Sequence, residues 1–142
     1  MFKFVLTLGR KFANVSPMKN TLNPFVKAYV EAALWTSLDE NEQPLDKNFG
    51  PDDIAVETLE QMKSDCAAFR ADNEELLEKS GLSLERQGHN FWLSRNGHGA
   101  GFFDDNQYKL QRAAKVWGEF NLYAELVEGL ACGNSYVIRH NN

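Results

Sequence analysis

Between Gly88 and Asp104 the chain reads Gly-His-Asn-Phe-Trp-Leu-Ser-Arg-Asn-Gly-His-Gly-Ala-Gly-Phe-Phe-Asp, which places two imidazoles, a guanidinium, two amides and an indole within ten residues. An imidazole changes charge near neutral pH, so His89 and His98 are the groups best suited to move a proton or to ligate a metal. With Asn96 they form the candidate catalytic set of a small hydrolase or nuclease, with or without a metal. Trp92, Arg95 and His98, beside the bare backbone of Gly99 and Gly101, form the competing set: a contact surface for a macromolecular partner.

Alternation from His89 to Arg95, the Asn96-Gly97 dipeptide and the return at Gly99 to Phe103 predict a β-hairpin with a two-residue turn. In that register Arg95 faces His98, Trp92 faces Gly101, and His89 faces Asp104 at the far end. One face then carries Trp92 and two glycines. Each strand glycine costs about 0.5–1 kcal/mol, so indole packing, an approaching element or a ligand must account for them. The two histidines lie too far apart along such a strand, at ~3.3 Å per residue, to share one metal. No metal and no cofactor is therefore expected.

Other templates fit less well. The segment Gln107 to Trp117 lacks the histidine or asparagine that a ββα-metal nuclease would carry on its helix. Gly97 to Gly101 lacks the Lys-Ser/Thr of a phosphate loop. Ser94 is not in a nucleophile elbow. Stacking of Phe91, Trp92, Phe102 or Phe103 on single-stranded bases is disfavoured by the acidic balance nearby.

The elements around this segment are helical before it and mixed after it. Asn23-Pro24 caps and starts a helix with Phe25, Tyr29, Ala32 and Ala33 on one face and Val26, Val30 and Leu34 on another. Asp39 to Gly50 is a polar connection. Pro51-Asp52-Asp53 opens a second helical region with Leu59, Met62, Cys66 and Phe69 at steps of three and four, ended by Gly81. Asp104, Asp105 or Asn106 caps a short helix through Leu110 and Ala114, closed by Gly118. Phe120 to Leu126 alternates as a strand, and Ser135 to Arg139 is a weaker one. The order ααββαββ predicts an α+β fold, N-terminal helices packed on a small antiparallel sheet.

A chain of 142 residues with 43% hydrophobic and 25% charged residues fits one domain with a real core. Its net charge of −5 argues against general nucleic-acid binding. Cys66 and Cys132 make no disulfide framework and have no partner at metal-ligand spacing. No segment approaches a membrane span. Residues 1–20 carry Lys3, Arg10, Lys11 and Lys19 without an acid and read as a disordered basic leader, residues 1–17 lying ahead of a second methionine, Met18; residues 21–142 read as the domain.

Ala28-Tyr29-Val30-Glu31-Ala32-Ala33-Leu34-Trp35, Asp53-Ile54-Ala55 and the long motif from Gly88 to Phe102 resemble a family of small, functionally uncharacterised proteins of tailed bacteriophages and prophages. The resemblance spans about residues 23–126 and brings no catalytic residue with it. It implies an accessory product in the host bacterial cytoplasm that binds a host or phage macromolecule, modulating the host or countering its defence. A protein partner, no enzymatic step and no membrane are the expectations.

Overall fold

The computed structural model describes residues 22–98, 100–128 and 134–141. Among the described residues five α-helices precede two antiparallel strands: α1 (Pro24–Thr36), α2 (Val56–Asp72), α3 (Glu74–Ser80), α4 (Leu84–Arg95), α5 (Tyr108–Lys115), then β1 (Asn121–Glu128) and β2 (Asn134–Asn141). Short 3-10 turns lie at Leu45–Lys47, Pro51–Asp53 and Gly101–Asp105. The α+β class, with helices first and a small antiparallel sheet, is the one expected. The basic leader lies outside the described residues.

α1 starts as its sequence requires. The Asn23 side chain accepts a hydrogen bond from the Val26 N–H at 2.9 Å, and Pro24 occupies the first helical position. Both apolar faces are used, with Phe25, Tyr29, Val30 and Ala33 fully buried. α1 packs chiefly on α4. α2 contributes Met62, Cys66 and Phe69 to the same core, and α5 contributes Leu110 and Ala114. Aromatic rings run through the middle: Phe69 stacks on Phe91 at 4.1 Å, and Tyr29 stacks on Phe91 at 5.2 Å.

The hairpin predicted at His89–Phe103 is a helix followed by a 3-10 turn, and this is the main correction. The Ser83 hydroxyl accepts from the Arg86 N–H at 3.1 Å and caps α4. Gly88, Phe91, Trp92 and Arg95 then recur at i, i+3, i+4 and i+7 and are all buried. Asn96-Gly97 signals a helix stop here. Gly97 takes φ +75°, its N–H donates to the Ser94 carbonyl at 3.3 Å, and the His98 N–H donates to the Leu93 carbonyl at 3.1 Å. That pair of bonds is the Schellman ending, which needs the same left-handed glycine as a hairpin turn.

The glycine that permits close approach is Gly88. A Cβ there would lie far inside van der Waals contact distance of the Phe25 carbonyl oxygen and 2.8 Å from its carbonyl carbon. The crossing of α4 over α1 therefore depends on a bare Cα at this position.

β1 and β2 pair from Asn121↔Asn141 to Glu128↔Asn134. The far edge of β2 is covered by a parallel bridge of Ile138 to Ile54, with the Ala55 N–H donating to the Ile138 carbonyl at 2.9 Å. Leu122 and Ile138 enter the core from this hairpin. His140 lies in β2. Its Nδ1 is 2.9 Å from the Thr58 hydroxyl, and its ring stacks on Phe120 at 4.8 Å.

Candidate functional site

Trp92 and Arg95, assigned above to a contact surface, are interior groups. Trp92 is 2% exposed, and its indole N–H donates to the Thr36 hydroxyl at 2.7 Å. Arg95 is 6% exposed and pairs with buried Asp65 at 2.9 Å. It also donates to the Tyr29 hydroxyl at 3.0 Å and to the carbonyls of Gly118 and Trp117 at 2.8 and 3.3 Å. The rings of Phe91, Trp117 and Phe120 surround the guanidinium at 5.2 to 5.6 Å. Helical geometry turns residues 88, 91, 92 and 95 inward together, which the strand register did not.

Gly101 is likewise a packing glycine. It has φ +93°, and a Cβ would fall 2.5 Å from the Ser94 Oγ and 3.0 Å from the Asn90 carbonyl oxygen. The Ser94 hydroxyl donates to Gln111 Oε1 at 2.6 Å and accepts from the Phe102 N–H at 3.0 Å, fastening the 3-10 turn to α4. Gly99 lies outside the described residues. Asn96 is engaged at both ends of its amide: Nδ2 donates to the Trp92 carbonyl at 2.9 Å, and Oδ1 accepts from the Phe120 N–H at 2.8 Å. Both ends of the amide are thus tied into the fold, holding the end of α4 to the start of the hairpin.

The two histidines are brought together where the hairpin reading separated them. His89 lies on the outer side of α4, half-buried, stacked on Trp35 at 6.3 Å. His98 is exposed just beyond the helix. Both line a chamber of about 290 Å³ with Trp35, Leu93, Asn90 and Asp104. Burial, then the neighbouring Arg86 charge, holds the His89 imidazole below its ordinary pKa, with Asp105 opposing. Arg86 is neutralised across a two-pronged ion pair with Asp105, at 2.8 and 3.2 Å. The hydrogen bond from Arg86 holds the Asp105 carboxyl below the ordinary carboxylate range.

Asn90 forms part of the chamber's lining and is 0% exposed. Its Nδ2 donates to Asp105 Oδ2 at 2.7 Å, which fixes the orientation of the amide. Its Oδ1 is buried with no hydrogen-bond partner among the described residues. A buried acceptor left empty costs about 1–3 kcal/mol, and such groups in native folds call for an explanation.

The chamber adjoins a larger cleft of about 730 Å³, and the two share Trp35, Arg86 and His89. This cleft runs between α1, the start of α4 and the 44–51 connection. Trp35 and Phe49 line its apolar side, and Glu31, Asp46 and Glu85 line its polar side. Trp35 is 54% exposed, although its neighbours Ala32 and Leu34 are buried. None of Glu31, Asp46 and Glu85 is in an ion pair among the described residues. In the sequence Trp35 stands only as the last residue of the Ala28–Trp35 resemblance segment, and Asp46 lies in the polar connection. The missed signal was a large aromatic at the polar end of an otherwise buried helix.

Among the described residues no group of three or more His, Cys, Asp or Glu side chains is placed to hold a metal. No helix among them is long and apolar enough to cross a membrane. Comparison with protein-family models, with curated proteins and with solved structures finds no significant match.

Proposed function

We propose that this chain is a binding protein of the phage accessory type, which receives a basic segment of a host or phage protein in the α1–α4 cleft. The observation that carries the reading is the cleft itself, lined by a half-exposed Trp35, by Phe49 and by three carboxylates that have no ion-pair partner among the described residues. Aromatic faces with nearby carboxylates attract lysine and arginine side chains by cation–π and ionic contact. Exposed tryptophans in clefts are also common anchors of protein interfaces. The phage setting, the bacterial cytoplasm and a role in host modulation or counter-defence rest on the motif resemblance from Gly88 to Phe102.

The surface of contact moves accordingly, from Trp92, Arg95 and His98 to Trp35, Glu31, Asp46 and Glu85. Its test is capture from phage-infected bacterial lysate, followed by reconstitution with the purified candidate partner. Trp35→Ala, which removes a half-exposed ring, weakens the reconstituted complex at least tenfold and leaves the thermal midpoint within a few degrees. Equal affinity in Trp35→Ala places the interface elsewhere and removes this reading.

The second reading, a small hydrolase or nuclease, is favoured by one observation: His89 and His98 share a chamber. Turnover that disappears in His98→Ala with the fold intact would replace the binding reading with this one.

A further inference from the structure

We infer that the chamber beside the cleft is a receptor for one guanidinium group, the end of an arginine side chain carried by the basic segment. The inference rests on the binding reading above and deepens it. Three observations support it. The first is Asn90, fully buried in the chamber lining, with its amide orientation fixed by Asp105 and its Oδ1 unpartnered. That oxygen requires a donor, and an apolar occupant would leave it empty.

The second is charge. Arg86 and Asp105 cancel each other in a two-pronged pair, so the carboxylate of Asp104 is the remaining fixed charge among the lining residues and this pair. Asp104 lines the chamber, is exposed, and is in no ion pair among the described residues. The third is shape. Trp35 lines both spaces, so a chain lying in the cleft has a short path for one side chain past the indole face into the chamber. A planar group with donors on several edges can stack on that face and donate to both Asp104 and Asn90. An ammonium, a compact point charge, uses the ring and the two separated acceptors less well.

Asn90 lines the chamber but its Oδ1 has no exposed surface, so a neighbouring side chain must shift for a ligand to reach it. His98 is exposed and has no side-chain hydrogen bond, ion pair or ring contact among the described residues, so it is held least. Its side chain can move without disturbing the Schellman ending of α4, which uses the His98 backbone.

The test is titration of the full chain with n-butylguanidinium, n-butylammonium and two capped peptides, one alternating Arg-Ala and one alternating Lys-Ala. The readout is the Trp35 indole N–H resonance, identified by Trp35→Phe and separate from that of buried Trp92. The expected result is a saturable shift with n-butylguanidinium that n-butylammonium does not match. Affinity falls at least tenfold in Asp104→Ala, an exposed change that spares the core, and falls similarly in Asn90→Leu. Equal binding of the two cations, or binding unchanged in both variants, overturns the guanidinium chamber. Binding of the Lys-Ala peptide without any response to n-butylguanidinium also overturns the chamber but leaves the cleft reading standing. No response to any probe removes both.

Discussion

Arg95 illustrates how a charged side chain serves the interior. Its guanidinium is enclosed by three aromatic rings and satisfied by Asp65, the Tyr29 hydroxyl and two backbone carbonyls. Burial drives the Tyr29 phenol and the Cys66 thiol well above their ordinary pKa values, so both stay protonated and Asp65 supplies the opposing charge. Removing one member of a buried pair leaves the other uncompensated, which costs about 3–5 kcal/mol. Arg95→Ala is therefore expected to lose that much stability in urea unfolding. The double change Arg95→Met with Asp65→Leu recovers a substantial part, because no orphan charge remains. A loss below about 1 kcal/mol for Arg95→Ala would return Arg95 to the surface.

At the scale of elements, the crossing of α1 and α4 organises the molecule. The core tyrosine and phenylalanines meet there, and the cleft and chamber lie along its outer side. Gly88 sets the distance between the helices, since any Cβ would collide with backbone that cannot rotate away. Gly88→Ala should raise helix propensity locally by about 1 kcal/mol, yet destabilise the fold by several kcal/mol because α1 must shift. Gly97→Ala is the control. Its Cβ meets nothing within 4 Å, so only the strain of φ +75° remains, about 1–2 kcal/mol. Thermal midpoints of the two variants separate the crossing from the helix ending. A larger loss at Gly97 than at Gly88 would contradict the packing described here.

For the whole molecule two groups of the α4 site, His89 and Asp105, act in the same direction on pH. His89 has its folded-state pKa depressed by burial, so the unfolded chain binds more protons near the ordinary imidazole value. Stability falls as pH drops from about 7 through that range, to the lower folded value. Asp105 has its folded pKa depressed by Arg86, so its contribution is present above the ordinary carboxylate range and is lost as pH falls through its folded value. The urea midpoint is expected to decline from about pH 7 to pH 3 in two stages. His89→Gln should flatten the upper stage and Asp105→Asn the lower. A midpoint that does not change between about pH 7 and 5 would show that His89 is solvated in both states.

Local signals determined much of this fold. The Asn23-Pro24 start, the Leu59–Met62–Cys66–Phe69 stripe, the Gly81 ending and the alternation after Phe120 depend on a few neighbouring residues, and each appears where it was read, whereas the helix read as closed by Gly118 ends earlier, at Lys115. Class and element types followed from them. The segment from Gly88 to Phe103 is different because its local chemistry is degenerate. Three consecutive apolar residues, Phe91-Trp92-Leu93, fit a buried strand or a buried helix, and Asn-Gly serves a hairpin turn or a Schellman ending equally well. What decided between them was a partner remote in sequence. α1 offers a groove that Gly88 fits as a helix, Thr36 accepts the Trp92 indole, and Asp65 meets Arg95 only when the segment is helical. The same choice turned Trp92 and Arg95 inward, brought His89 and His98 to one chamber, and left Trp35 facing open space, because side-chain direction follows backbone period.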